Sequence, residues 1–384
     1  LGLLFFTTAA LFSAVIWLED TTRTRWLVLA AVCSGLALGT KYNALVSFLV
    51  LSLLLPFFYL FRFRRDNPHT QQLNAVKFGA LFVAISLLVF SPWLVRNYSL
   101  TGNPLYPLAQ GVFKQSTTEL TPVDEATDAD THVRAVLRGQ SPNNEKPLGP
   151  LLTRRLVHEE SLPYTLMIPL RIFFEGEDDN PKYFDGRLNP FLFLLPLAFL
   201  VLAKRTGFRH RETLLFGAYA LLMIVLVFLL TDMRLRWVAT IVPPLVVLAT
   251  YGLRTIHDLL ARRLGSTPWA SAVTGLLIAA YFLPNLLYAH ALFGKIDPVP
   301  YVTGKQDYAT YVRQHRPEYA AISLANHIVP PDKKVLGLFL GNRRYYFSAD
   351  AILVNQVFKS VAERSATGDA IADRLLDLGY SHLV

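Results

Sequence analysis

The chain has 384 residues, of which 53% are hydrophobic and only 17% charged, with a formal charge of +9. A soluble globular chain carries about 25% charged residues, so the composition excludes an ordinary soluble domain and points to a protein that crosses a membrane several times. The positive charge is not a nucleic-acid signature, because the Lys and Arg are spread over short loops between apolar runs.

Eight apolar windows follow one another at residues 2–18, 26–40, 44–61, 76–94, 188–203, 213–230, 237–253 and 268–290. Residue 1 is Leu with no basic segment before the first window, so we expect an upstream segment. The only cysteine, Cys33, lies inside the second window, which rules out an intrachain disulfide. Lys41-Tyr42-Asn43 separates the second window from the third. A tight turn is expected there, since a lysine in mid-bilayer is expensive. The fourth window closes at Trp93, whose chemistry suits a membrane interface. Arg96 and Asn97 follow, then Thr101-Gly102-Asn103-Pro104, which is turn chemistry.

Four alternate loops carry Arg23/Arg25, Arg62/Arg64/Arg65, Lys204/Arg205/Arg209/Arg211 and Arg254/Arg262/Arg263. By the positive-inside rule these are cytoplasmic. The Lys41 turn, the long loop 95–187 and everything after residue 291 then lie outside. Arg234 and Arg236 break the rule in a short outer loop beside Asp232. An anionic ligand would explain them, and so would an ion pair with Asp232.

In the long loop, residues 111–147 are polar, with Asp124, Glu125, Asp128 and Asp130, and read as weakly structured. Residues 148–174 alternate Leu and Ile with Arg154, Arg155, His158, Glu159 and Glu160. They are expected to form an amphipathic interfacial helix broken at Pro163 and Pro169. A dense acidic turn holds Glu175, Glu177, Asp178 and Asp179, and Asp185 precedes the fifth window. In the tail, helices are expected over 308–329 and 365–378 and strands over 335–340, 351–354 and 381–384. The last strand runs to the final residue, so the tail too is expected to continue beyond it. The fold expected is an all-α polytopic membrane protein of about eight transmembrane helices with a small extracytoplasmic α/β domain. Its parts are helices in 1–94, the loop 95–187, helices in 188–290 and the domain 291–384.

No phosphate-binding loop, dinucleotide glycine fingerprint, zinc spacing or nucleophile elbow is present, and the nine histidines are unpaired in spacing. What remains is a one-sided constellation. It holds the cations Lys41, Arg96, Arg234 and Arg236, the polar residues Tyr42, Asn43, Asn97 and Asn103, and the acids of 175–185. Cations at helix ends can hold a phosphate. A carboxylate can take a proton from a hydroxyl or hold a divalent metal.

Three stretches resemble motifs of the GT-C superfamily of membrane glycosyltransferases, relatives of protein O-mannosyltransferases and the lipid A aminoarabinose transferase. They are Gly35 through Lys41-Tyr42-Asn43, Pro92-Trp93 through Arg96-Asn97 to Pro107, and Asp232-Met233-Arg234 through Pro243-Pro244. Arg236-Trp237 departs from the Arg-Tyr pair common in that third motif. The tail, with Lys333-Lys334-Val335-Leu336 and Tyr345-Tyr346, is similar to the outer domain of many members. The resemblance implies inverting transfer of a sugar from a polyprenyl-phosphate donor to a protein, lipid or polysaccharide acceptor, on the outer face of the cytoplasmic membrane. It places Lys41 on the donor phosphate, with Arg96 and Arg234 as further contacts and Tyr42, Asn43, Asn97, Asn103 and Arg236 lining the site. It also implies a catalytic acidic residue in an outer loop upstream of residue 1, so no catalytic residue is assigned, and we expect residues 1–384 alone to be inactive. Membrane lipid is an expected partner and nucleic acid is not. No cofactor is assigned, and a divalent metal at the acidic turn stays open. The alternatives are a transporter or flippase of a lipid-linked anion, which predicts polar residues in mid-span, and a non-catalytic scaffold.

Overall fold

The computed structural model describes residues 1–62, 68–106, 108–109, 112–113, 149–206, 211–264, 267–341 and 343–384. Eight apolar helices coincide with the eight windows: α1 (Gly2–Glu19), α2 (Thr24–Thr40), α3 (Ala44–Arg62), α4 (Pro68–Thr101), α5 (Phe191–Thr206), α6 (Arg211–Leu230), α7 (Val242–Leu264) and α8 (Thr267–Ile296). Six are long and apolar enough to cross a membrane among the described residues, while α2 and the apolar part of α5, Phe191–Leu202, are shorter. The polar half of the long loop over 114–147, the basic stretches 63–67 and 207–210, and the Arg62, Lys204, Arg205 and Arg211 side chains lie outside the described residues.

Helix α4 corrects the expected boundary at Trp93. It runs through Pro92 to Thr101 and stops at Gly102, which adopts φ +68° and bonds its N–H to the Tyr98 carbonyl at 2.8 Å. Glycine takes that left-handed conformation without a Cβ penalty, so the stop belongs to Gly102 and not to the interfacial tryptophan.

Helix packing explains the glycines of the second window. A Cβ on Gly35 would sit 2.5 Å from the Ser86 carbonyl oxygen, and one on Gly39 would sit 2.7 Å from the Trp93 indole nitrogen. One turn apart, the two glycines let α2 lie closely on α4, as small residues do between membrane helices. Further pairs form between α1 and α2, α3 and α4, α3 and α6, and α5 and α7. Trp17 is fully buried among them, stacked on Tyr59 at 6.0 Å and edge-on to Phe78 at 5.3 Å.

Within the segment expected to be helical, 148–174, three short helices form, Pro150–Leu156, Leu162–Leu166 and Ile168–Arg171, with the breaks falling at Pro163 and Pro169 and each helix carrying proline in its first turn. Leu151, Leu152, Leu156 and Leu166 are exposed while Arg154, Glu160 and Arg171 are buried. Three charged side chains therefore point inward, together with Ile168, while Arg155 and Glu159 stay exposed.

By compactness, residues 1–115 with 148–287 make one unit, and the described part of the second is Tyr288–Val384. The second unit carries α9 (Tyr308–His315), α10 (Glu318–Ile328), β1 (Lys334–Leu336), β2 (Asp350–Ile352), α11 (Asn355–Ala362), α12 (Gly368–Asp377) and β3 (Tyr380–Leu383). Its sheet is parallel, in the order β2-β1-β3. Pro317 divides the expected helix 308–329 into α9 and α10, since the residue before a proline is pushed out of the helical region. Helix α11, with Val357 and Val361 buried against the sheet, was not expected.

Candidate functional site

Four stretches of the first unit meet at one end of the helices: the α2–α3 turn, the end of α4 with its following turn, the loop segment 149–187 and the loop 231–236. The Tyr42 hydroxyl donates to the Tyr106 carbonyl, and the Asn97 side-chain amide donates to the Tyr42 hydroxyl at 2.7 Å and to the Pro104 carbonyl at 3.3 Å. Asn103 is buried and closes the turn, accepting from the Leu105 N–H at 2.9 Å and donating to the Leu108 carbonyl at 2.7 Å. Asn43, also buried, donates to the Arg236 carbonyl at 3.3 Å. These four polar residues are brought together as expected, and each holds backbone.

The charged floor of the site is Arg154, which sequence reasoning placed on a polar helix face. Its side chain is 2% exposed, and it donates to the carbonyls of Lys182 at 2.7 Å, Met233 at 2.9 Å and Pro181 at 3.3 Å. The same Nη2 lies 3.0 Å from Asp232 Oδ1. Its hydrogens are directed at carbonyls, so Asp232 is held by charge more than by a hydrogen bond. Glu160 sits between Arg154 at 3.8 Å and Arg171 at 3.2 Å. Arg171 further binds Glu175 at 2.9 Å, which accepts from the Tyr164 hydroxyl at 2.9 Å. Phe184, with no exposed surface, lies between the two guanidiniums at 5.3 and 5.5 Å. Burial pulls the Arg154 pKa down against the opposing pull of Asp232 and Glu160. For Arg171, burial is outweighed by hydrogen bonds to Glu160 and Glu175, and its pKa rises. A buried arginine left without its acids costs several kcal/mol, so this network fixes the loop.

Above it, Phe184, Asp185 and Gly186 have φ of +68°, +50° and +145°. Non-glycine residues rarely adopt positive φ. Here the backbone is over-determined: the Leu235 N–H bonds to the Phe184 carbonyl at 2.7 Å, Asp185 N–H to Asn180 at 3.0 Å, and Gly186 N–H to Glu177 at 3.1 Å. A Cβ on Gly186 would meet the Leu235 side chain at 2.6 Å. The result aims one Asp185 oxygen at two guanidiniums, 3.9 Å from Arg234 and 3.8 Å from Arg236. Both distances exceed a hydrogen bond. Arg234 Nε also donates to Asp232 Oδ2 at 3.4 Å, while Arg154 faces Oδ1 of the same carboxylate. Arg234 is thus shared between Asp232 and Asp185, and Arg236 meets Asp185 only at a distance beyond hydrogen bonding, so the two guanidinium forks are incompletely engaged by their acids.

Lys41 is exposed at the α2–α3 turn, two residues from Asn43, and its ammonium makes no ion pair among the described residues. Arg96 is exposed and lies over the Trp93 ring at 5.7 Å, on a different side of α4 from the inward Asn97. The structure therefore joins Arg234, Arg236 and Asn43, seats Lys41 in the same turn, and sets Arg96 on Trp93, whose indole lies against Gly39 of α2. Glu175 is taken by Arg171 and Tyr164, and Glu177 accepts from Asn180 at 2.8 Å. Among the described residues no three His, Cys, Asp or Glu side chains converge as a metal site would require.

Arg154, Glu160 and Arg171 were missed because a buried arginine follows the same local pattern as a solvated one. The available hint was charge matching between the Arg154–Glu160 stretch and the lone acid Asp232. Comparison of the chain with family models, with curated proteins and with solved structures finds no match.

Proposed function

We propose that this chain is the core of a membrane glycosyltransferase that takes a sugar from a polyprenyl-phosphate donor, with Arg234, Arg236 and Lys41 receiving the donor phosphate. One observation carries the proposal: Arg234 and Arg236 converge on Asp185 at 3.9 and 3.8 Å, too far for hydrogen bonds, and the only closer acid among the described residues, Asp232, gives Arg234 a long 3.4 Å bond while sharing its other oxygen with Arg154. A phosphate, with more oxygens and more charge, satisfies two planar guanidinium forks better than these carboxylates do. In the reaction an acceptor hydroxyl attacks the anomeric carbon from the face opposite the phosphate. The carbon–oxygen bond to phosphate breaks and the configuration inverts. The departing lipid phosphate gains negative charge, and fixed cations stabilise it. The hydroxyl proton goes to a carboxylate, which the GT-C resemblance puts upstream of residue 1.

In the same proposal all eight apolar helices cross the cytoplasmic membrane, with the site, the loop 95–187 and the second unit on its outer face. The exposed leucines of the three short loop helices then meet the lipid headgroup boundary. Arg96, stacked on its tryptophan, lies at the interface next to the Lys41 turn and stays a further candidate for the donor phosphate.

The test is donor binding. Purified full-length protein in nanodiscs is titrated with a short-chain polyprenyl phosphate, and the dissociation constant is compared with that of Arg234→Ala and Arg236→Ala. Each loss removes a charge-assisted contact of about 1.5–3 kcal/mol, so roughly tenfold or more weaker binding is expected per arginine. Unchanged affinity in both variants would overturn the phosphate assignment.

A further inference from the structure

The second unit contains two kinds of core. Around the sheet it is mainly aliphatic, with Val335, Leu336, Val357, Val361 and Leu375 buried. At the other end, six tyrosines form an unbroken ladder. Tyr345 lies 4.1 Å from Tyr346, Tyr346 5.1 Å from Tyr319, Tyr319 6.5 Å from Tyr308, Tyr308 6.3 Å from Tyr301, and Tyr301 5.1 Å from Tyr311. Tyr301, Tyr308 and Tyr345 are 41%, 51% and 72% exposed. A ladder made only to fill a core would not leave three of its six rings in the open.

The ladder is tied to the end of a membrane-length helix. The Tyr311 hydroxyl donates to the carbonyl of Ile296, the last residue of α8, at 2.8 Å. Tyr301 follows Ile296 by five residues, so at most about 18 Å of chain separates them. Beside the rings, Val302 is 77% exposed, and Lys305 and Arg313 are exposed cations. Tyrosine, an exposed aliphatic and flanking cations at the exit of an apolar helix are the chemistry of a membrane interface. The ring sits at headgroup level with its hydroxyl toward water, and cations reach for lipid phosphate.

We infer that the tyrosine ladder is a lipid-docking surface, by which the second unit rests on the headgroup layer next to the exit of α8. The inference requires that α8 cross the membrane and does not depend on the transfer chemistry.

The test uses the full chain with Cys33→Ala, carrying Val302→Cys, Tyr345→Cys or, as control on the exposed side of α11, Lys359→Cys. Each is labelled with a fluorophore and placed in nanodiscs with or without lipid brominated near the headgroup. Quenching at Val302→Cys and Tyr345→Cys at least twice that at Lys359→Cys is expected. Equal quenching at all three would overturn the inference. Hydroxyl-radical footprinting of the unmodified chain gives a second readout that needs no variant. Tyr308 and Tyr345 should be oxidised more slowly in nanodiscs than their exposure allows, and unhindered oxidation contradicts docking. Protection by added soluble oligosaccharide, with no quenching by brominated lipid, would give the ladder to a glycan and also overturn the inference. Resistance of the chain to alkaline extraction from membranes checks the crossing of α8 separately.

Discussion

Arg154 shows how much a single side chain can organise in this protein. Its replacement by Ala leaves Glu160 buried beside one arginine instead of two and removes donors from three carbonyls. Breaking a buried pair in this way costs roughly 3–5 kcal/mol. We expect Arg154→Ala to lower the melting temperature of the detergent-solubilised protein sharply, while Arg155→Ala, at an exposed position, leaves it nearly unchanged. Equal effects would mean that the network contributes little. His158 gives a pH readout of the same region. Burial, and then the nearby Arg154 charge, lower its pKa below the ordinary 6.5. The unfolded chain therefore takes up the proton first, and the folded state loses stability as pH falls below that value. Between about pH 7 and pH 5 the wild type should lose more thermal stability than His158→Gln, and identical pH dependence would contradict the shift. None of this was legible from Arg154 or His158 in the sequence, where both read as surface residues. The polar residues Tyr42, Asn43, Asn97 and Asn103 were legible as a group, because turn chemistry and helix ends placed them together.

At the scale of elements, the glycines of α2 make the sharpest prediction. Gly35→Val drives a branched side chain into the Ser86 carbonyl and Val89, and overpacking of this kind costs about 1–3 kcal/mol. Gly217→Ala in α6, where a Cβ meets nothing within 4 Å, should be neutral or stabilise by up to about 1 kcal/mol through helix propensity. Thermal melts of the two variants check this, and a neutral Gly35→Val would refute the close α2–α4 contact. The apolar windows revealed all eight helices, since long uniform runs are hard to misread. Their ends were less legible. Proline and tryptophan suggested an end at 93, yet α4 ran on to the residue whose positive φ ends it. The three short helices of 150–171 show the opposite limit. Several of their leucines are exposed while Arg154 and Arg171 are buried and Arg155 is not, and hydropathy alone does not tell such charges apart.

At the scale of the whole molecule, the described residues give a helical membrane-type unit and a small parallel α/β unit. The charge distribution anticipated that the Lys41 turn, the 231–236 loop and the region near Asp185 would share one end of the helices, and their contacts place them there. What the charge pattern could not supply was the division of labour among those charges. Arg154 takes one oxygen of Asp232 and Arg234 the other, while Arg234 and Arg236 converge on Asp185 without hydrogen-bonding it.

The most direct test is turnover. Full-length protein in membranes is mixed with a panel of radiolabelled polyprenyl-phosphate sugars, and loss of label from the lipid is followed for the wild type and for the Arg234→Ala/Arg236→Ala double variant. The account predicts that the wild type consumes one donor and that the folded double variant consumes it at least a hundredfold more slowly. Wild-type turnover by the double variant, or no turnover of any donor by a folded wild type that still binds polyprenyl phosphate, would contradict it.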